Sequence, residues 1–171
     1  WAGRSVSMLL TWAGHTVQVA SMYAPHVPAD RQPYIQTTVQ RVWQRRPQQR
    51  VLMGDWNFVP CPQRDRRSRA GQQTALRHSD RRSAEALATA APGAVDAYRL
   101  KHPTRATYTF FSAANGHAAR HDRVYVSPAL APYVLSCAAH PTGMSDHDPV
   151  VCALLPRRAA AAPSRGPRRA R

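Results

Sequence analysis

Val51-Leu52-Met53-Gly54-Asp55-Trp56-Asn57 is an apolar run closed by a glycine and followed at once by polar side chains. A short apolar run of this kind reads as a strand buried on both faces. Strands on either side extend the pattern. Val6 to Trp12 and Thr16 to Met22 read as a hairpin turning at Ala13-Gly14-His15, with Val17 and Val19 on one face. Tyr23-Ala24-Pro25-His26 leaves that hairpin for a loop, because proline cannot continue a ladder. From Pro33 the period changes to that of a helix. Ile35, Val39, Val42 and Trp43 share one face, Pro33 suits the first turn, and Pro47 ends the helix.

Residues 60–73 read as an arginine-rich loop. Thr74 to Ala91 predicts a second helix, with Leu76, Ala84, Leu87, Ala88 and Ala91 inward and Pro92-Gly93 as the stop. Thr107 to Phe111 and Arg123 to Val126 read as an outgoing and a returning strand around the turn signal Asn115-Gly116. Tyr133 to Ala138 and Val150 to Leu155 add two more strands. Strands and helices without strict alternation predict an α/β (α+β layered) fold built on a mixed sheet. Residues 1–155 are expected to form the domain. Residues 156–171 are alanine, proline and arginine without periodicity, and read as a disordered basic tail.

Composition narrows the class. A chain of 171 residues can bury a core without metal or disulfide staples. No run approaches the roughly 20 apolar residues of a membrane span, so a membrane partner is not expected. No signal-peptide pattern opens the chain. Cys61, Cys137 and Cys152 show no metal or disulfide spacing, with 137 and 152 read as buried strand cysteines. An intracellular, non-secreted protein is the expectation. The net charge is +15, almost all of it from arginine, since Lys101 is the one lysine and Glu85 the one glutamate. A G+C-rich coding sequence would produce some of that bias. The charge still favours a polyanion such as DNA or another nucleic acid.

Three strings place an aspartate at the end of an apolar strand: Gly54-Asp55-Trp56-Asn57, His121-Asp122-Arg123-Val124-Tyr125 and Ser145-Asp146-His147-Asp148-Pro149-Val150. Neighbouring strands end side by side, so such groups can meet in one crevice. Aspartate, asparagine and histidine together supply oxygen donors for a hard cation, an amide donor and a proton carrier. Metal-assisted phosphate-ester hydrolysis needs these components. The same strings have plainer readings: GDWN as a strand followed by an Asx turn, SDHDP as a capped turn.

Taken in order, the strings resemble the endonuclease/exonuclease/phosphatase superfamily over about Val6 to Leu155. Tyr23-Ala24-Pro25 is similar to its tyrosine loop, GDWN to its GDFN or GDWN, HDRVYVS to RIDYIFVS, and SDHDPV to SDHxPV. Val95-Asp96-Ala97-Tyr98-Arg99, His102-Pro103 and Tyr108-Thr109-Phe110-Phe111 resemble the pattern of LINE-type retrotransposon endonucleases, which are apurinic/apyrimidinic-like. The resemblance implies a DNase I-like fold, here a partial four-layer sandwich of mixed sheets flanked by helices. It implies a phosphodiester hydrolase dependent on Mg²⁺, with Mn²⁺ as the substitute ion, acting as a DNA endonuclease. It also implies a nuclear setting and fusion to a reverse transcriptase in a longer protein.

By resemblance, Asp55 activates the attacking water or, alternatively, protonates the leaving group. Asn57 points the same way along an extended segment and donates to phosphate. His147 is the second acid–base group or a cationic clamp, paired with Asp122. Asp146 holds the metal with Asp55 and Asn57. Tyr23 donates its hydroxyl to phosphate, or else simply packs. His26 stands where the family has a phosphate-contacting asparagine. Strand alternation puts one of Phe110 and Phe111 inward and one outward, free to wedge against a sugar or base, with a core position for their neighbourhood as the commoner reading. Asp96 and Arg99 are expected to form a structural pair. The family's opening strands, one ending in a metal-binding glutamate, have no counterpart here, and Glu85 lies on the second helix. Two alternatives follow: a catalytically inactive remnant that binds nucleic acid, or a phosphatase for small phosphoesters.

Overall fold

The computed structural model describes residues 3–12, 15–45, 48–69 and 77–155. The expected tail, the Ala13-Gly14 turn, the Pro47 stop and the first turn of the second helix with Leu76 lie outside the described residues.

Strands β1 (Ser5–Trp12) and β2 (His15–Tyr23) form the antiparallel hairpin. The chain then enters α1 (Pro28–Tyr34), a π-helical segment (Ile35–Val39) and α2 (Gln40–Trp43). The helix starts earlier than Pro33 because Pro28 occupies its first turn. Pro33 lies inside the helix, where it removes one backbone bond, and the turn that follows widens into the π segment. Strand β3 (Gln49–Asp55) follows, then α3 (Pro62–Asp65) and β4 (Arg66–Arg67) within the arginine-rich loop. Next come α4 (His78–Ala90), β5 (Val95–Asp96) and α5 (Ala97–Lys101). The chain continues through β6 (Phe110–Phe111), β7 (Ala118–Ala119), β8 (Asp122–Val126), β9 (Val134–Ala139) and β10 (Val150–Leu154).

The central sheet has the order β1-β2-β3-β8-β5. Strand β2 runs parallel to β3, and the other neighbours are antiparallel, so the sheet is mixed. Alternation sends Ala20, Met22, Leu52 and Tyr125 to one face, where Ile35, Val39, Trp43, Leu87 and Ala90 cover them. Val51, Val124 and Val126 go to the other face, against α5 and the β9–β10 pair through Val134, Cys137 and Cys152. The result is an α/β layered sandwich: helices, mixed sheet, second sheet. Leu52 has no exposed surface, and burying one such side chain stabilises by roughly 1.5–3 kcal/mol. Edge strand β1 is the exception. Val6, Met8, Leu9 and Leu10 are all exposed on it.

Three expectations change. The strand returning from the Asn115-Gly116 turn is β7, paired Phe110↔Ala119, and not Arg123 to Val126. Both edges of β8 are already taken by β3 and β5. On α4, Leu87 and, just past its end, Ala91 are buried as expected and Ala84 packs against the core, but Ala88 is exposed, and Asp80, Ser83, Ala86 and Ala90 complete the inward face. Arg66 bonds Asp80 at 2.6 Å and Arg31 bonds Ser83 at 2.9 Å, so polar residues sit on the buried side. Asp96 meets Arg99 through the Arg99 backbone N–H at 3.2 Å and not through its guanidinium. Asp96 caps α5 and binds Arg120 at 2.7 Å, while Arg99 binds Asp65.

Among the described residues no helix is long and apolar enough to cross a membrane.

Candidate active site

The end of β3 is built around Gly54. Its φ is +136°, and a Cβ there would lie 1.9 Å from the Met22 carbonyl oxygen. Only glycine tolerates both the conformation and the approach of β2. Gly54→Ala should destabilise the fold by on the order of 3 kcal/mol, since overpacking a backbone contact cannot relax through a rotamer. A fall in the urea midpoint tests this, and an unchanged midpoint would contradict it.

Past Gly54, Asp55 stands beside Tyr23 on β2 and opposite Asp122 on β8. The Asp55 carboxylate accepts from the Asn57 backbone N–H at 2.9 Å and from Asn57 Nδ2 at 3.0 Å. The Asx turn is therefore present. Asn57 is not on an extended segment: its φ is +52°, and the turn rather than strand alternation sets it beside Asp55. Nδ2 also donates to the Ala24 carbonyl at 2.8 Å, so both amide hydrogens are engaged. Donation to a phosphate requires one of them to change partner. Burial raises the Asp55 carboxyl above the ordinary range, and the nearby Asp122 charge adds to it, against the lowering bond from Asn57 and the charges of His147 and Arg123.

Asp122 Oδ2 lies 2.8 Å from His147 Nδ1. Both side chains are partly exposed. The Asp122 N–H donates to Thr109 Oγ1 at 2.9 Å, and Asp148 N–H donates to the Thr109 carbonyl at 2.7 Å. Buried Thr109 thus ties the β8 start to the loop that carries His147. Asp146 is exposed and accepts from the Ser145 hydroxyl at 3.2 Å. Its backbone carbonyl accepts from Phe111 N–H at 2.8 Å.

Phe110 stacks on His121, with ring centroids 5.2 Å apart and planes 7° from parallel, and lies 5.0 Å from the His147 ring. Phe111 faces outward. Behind Phe110 and His121 is a cavity of about 270 Å³ lined also by Arg66, Arg77, Asn115 and His117. Burial pushes His121 down to about 3, helped by Arg123 and Arg66, so its imidazole is neutral at pH 7. Tyr23 is half exposed with the Arg4 guanidinium 5.0 Å from its ring centre, which rules out a core packing role. His26 is exposed, and its carbonyl accepts from Arg31 at 3.3 Å.

The structure thus brings together Asp55, Asn57, Asp122, His147 and Phe110, with Tyr23 on the adjacent strand. Asp146 is on the loop that carries His147, with its exposed carboxylate accepting from Ser145, and His26 and Phe111 lie outward. Two arginines went unnoticed in the sequence. Buried Arg31 bonds the Asn57 and His26 carbonyls and Ser83, fixing the loop beyond the Asx turn. Buried Arg123 has no hydrogen-bond partner for its guanidinium among the described residues, and lies 4.3 Å from the Phe58 ring centre. No spacing signal distinguishes either from the many surface arginines.

Among the described residues no three of His, Cys, Asp and Glu cluster as a metal cage. The donor set is nevertheless of the kind Mg²⁺ takes. This ion is commonly held by one or two carboxylates, with water and substrate phosphate completing its shell. Asp55 and exposed Asp146 are the carboxylates that would hold such an ion.

A mixed sheet flanked by helices, with two acidic strand ends meeting a loop histidine, defines a DNase I-like layered fold. The model of the Endonuclease/Exonuclease/phosphatase family matches residues 6–147, and the chain belongs to that family. Solved structures agree on the fold. An AP endonuclease from Archaeoglobus fulgidus is 22% identical with a TM-score of 0.63, covering 86% of this chain and 64% of its own. The Xenopus laevis APE2 catalytic domain is 20% identical with a TM-score of 0.71, covering 89% and 55%. The endonuclease domain of TRAS1, a telomere-specific non-LTR retrotransposon, is 13% identical with a TM-score of 0.64, covering 88% and 63%. The chain therefore spans less than two thirds of the length of these neighbours. Comparison with curated protein sequences gives no match.

Proposed function

We propose that this chain is the greater part of a divalent-metal-dependent phosphodiesterase domain that nicks DNA, of the retrotransposon-endonuclease type. The observation that carries this reading is the Asp122–His147 pair set across the sheet from Asp55. A carboxylate, an oriented imidazole and a second carboxylate at one sheet end suit in-line attack of water on a phosphodiester.

Asp122 accepts from His147 Nδ1, which leaves Nε2 to face the substrate. As negative charge builds on the phosphoryl oxygens, the imidazolium form gains from Asp122 and can donate to a non-bridging oxygen. Asp55 accepts the proton of the attacking water. Asn57 occupies only part of its lone-pair capacity, since a carboxylate has about four acceptor sites. Asn57 and Arg31 keep Asp55 oriented. Asp55, Asp146 and the Asn57 side-chain oxygen would hold Mg²⁺, or Mn²⁺ in its place, and the ion would act as a Lewis acid on the phosphate. Tyr23 offers its hydroxyl at the mouth. Phe110 gives a flat face to a sugar or base, and the cavity behind it is rimmed with arginine and histidine donors.

Charge selects the substrate class. At +15, the chain suits a duplex polyanion better than a small phosphoester, and the DAYR, HP and YTFF strings favour the retrotransposon branch. On that reading the setting is nuclear and the whole protein carries a reverse transcriptase.

Purified protein with supercoiled plasmid and Mg²⁺ tests the proposal. The expected result is conversion to nicked circles, abolished by EDTA and by Asp55→Ala, and weakened steeply by salt. Salt-sensitive binding without nicking would instead identify an inactive nucleic-acid-binding remnant. Faster phosphate release from an inositol phosphate would identify a phosphatase.

A further inference from the structure

Cys137 on β9 and Cys152 on β10 are direct cross-strand partners. Both are free thiols, Cys137 buried and Cys152 half-buried. The ladder determines what kind of pair they form. His140 N–H donates to the Pro149 carbonyl at 2.9 Å, which makes His140–Pro149 a hydrogen-bonded position. Antiparallel pairs alternate. Ala138–Val151 is therefore the next hydrogen-bonded pair, and Cys137–Cys152 falls on a non-hydrogen-bonded one. At such positions the Cα atoms are about 4.5 Å apart and the side chains approach most closely. That spacing lies at the short end of the roughly 4.4–6.8 Å range that a disulfide spans.

We propose that Cys137 and Cys152 are a reversible dithiol–disulfide pair, oxidised by hydroperoxide, that closes a ring around the loop carrying Asp146 and His147. The chain between the two cysteines is residues 138–151 and includes both of those side chains and Asp148. The chemistry divides between the thiols by exposure. Cys152 reaches solvent, and its thiol is lowered by the hydrogen bond from Cys137 and by Lys101, against burial. The Cys137 thiol is raised by the same contact and by burial. Cys152 thiolate attacks a peroxide oxygen, breaking the O–O bond to give the sulfenic acid and hydroxide, which takes up a proton as water. The Cys137 sulfur then attacks the Cys152 sulfur. The S–S bond forms, the S–OH bond breaks, and the oxygen leaves as water with the Cys137 proton. One peroxide is reduced and two thiols are oxidised.

A disulfide that leaves one cysteine partly exposed, as half-buried Cys152 does, is more easily reduced than a fully buried structural one. Reduced glutathione, and not only a strong dithiol, should reopen it. The ring should also restrict the loop, which is otherwise tied by the Phe111–Asp146 and Asp148–Thr109 backbone bonds.

The test uses the whole chain with Cys61→Ser to remove the remaining thiol. Hydrogen peroxide is added, free thiols are alkylated under denaturing conditions, and the peptides are mapped. The expected product links the peptides of Cys137 and Cys152 with loss of two hydrogens, is absent in Cys152→Ser, and is reversed by glutathione. Hydrogen exchange across 140–149 should slow several-fold in the oxidised form. The proposal is overturned if both cysteines remain alkylated at peroxide levels that oxidise exposed Met144, if the link resists glutathione, or if loop exchange is unchanged. These readouts do not depend on nuclease activity, so they stand apart from the plasmid assay.

Discussion

Asp122→Asn should lower the nicking rate roughly 10²- to 10⁴-fold while leaving the protein folded. The substitution keeps the shape and changes the hydrogen-bond logic. The Asp122 carboxylate can only accept, so it requires the proton on His147 Nδ1 and points Nε2 at the substrate. An asparagine can donate to Nδ1 instead, which holds the other tautomer. It also removes the charge that favours imidazolium as the phosphoryl oxygens become more negative. The loss should fall on turnover and not on binding, because Asp122 meets no substrate directly. Stability should change by about 1 kcal/mol or less, since the pair is partly exposed to solvent. Single-turnover nicking alongside thermal melting measures both. Nicking within tenfold of the parent, with an unchanged melt, would remove Asp122 and His147 from the chemistry.

The parts that could be read in the sequence were those governed by local period. Strand β3 announced itself as an apolar run, and Ile35, Val39, Val42 and Trp43 pointed inward at helical spacing; all four are buried. GDWN and HDRVYV converge because β3 and β8 end side by side, whereas SDHDPV leads into β10 of the second sheet and meets them through Thr109 and the Asp122–His147 contact. What stayed hidden depends on partners distant in the chain. Arg31, Asp65 and Arg120 look like ordinary solvated charges in an arginine-rich sequence, yet all three are buried. Their burial requires Asp80, Ser83, Asp96 and Arg99 to arrive from other elements. The α4 face was read only in part for the same reason: Leu87 and Ala91 are buried as expected, but polar Asp80 and Ser83 gain partners only after folding. The returning strand was misassigned because a two-residue strand such as β7 has too few side chains to show a period. Asn57 could not be placed by alternation once a side-chain turn took it off the strand.

That hidden network gives the second large effect. Asp65→Asn should destabilise the protein by about 3–5 kcal/mol, the cost of leaving buried charge without its partner. Asp65 has no exposed surface. It accepts from Arg120 at 2.8 and 3.1 Å and from Arg99, and Arg120 also binds Asp96. Asparagine offers one carbonyl oxygen and no charge, so Arg99 loses its counterion inside the domain and Arg120 is left with Asp96. The same carboxylate makes stability depend on pH. Burial alone would raise Asp65, but the bonds and charges of Arg120 and Arg99 outweigh it and hold its carboxyl below the usual value of 3.8. A depressed carboxyl contributes its stability above the unfolded-chain value and loses it as pH falls through the folded one. The parent should therefore lose stability as acid takes the solution below about pH 4, in a window that opens at the unfolded carboxylate value. In Asp65→Asn that acid slope should flatten, from a much lower plateau at neutral pH. Urea midpoints measured from pH 7 downward on both proteins decide the matter. Equal acid slopes would mean that some other carboxylate holds the arginines together.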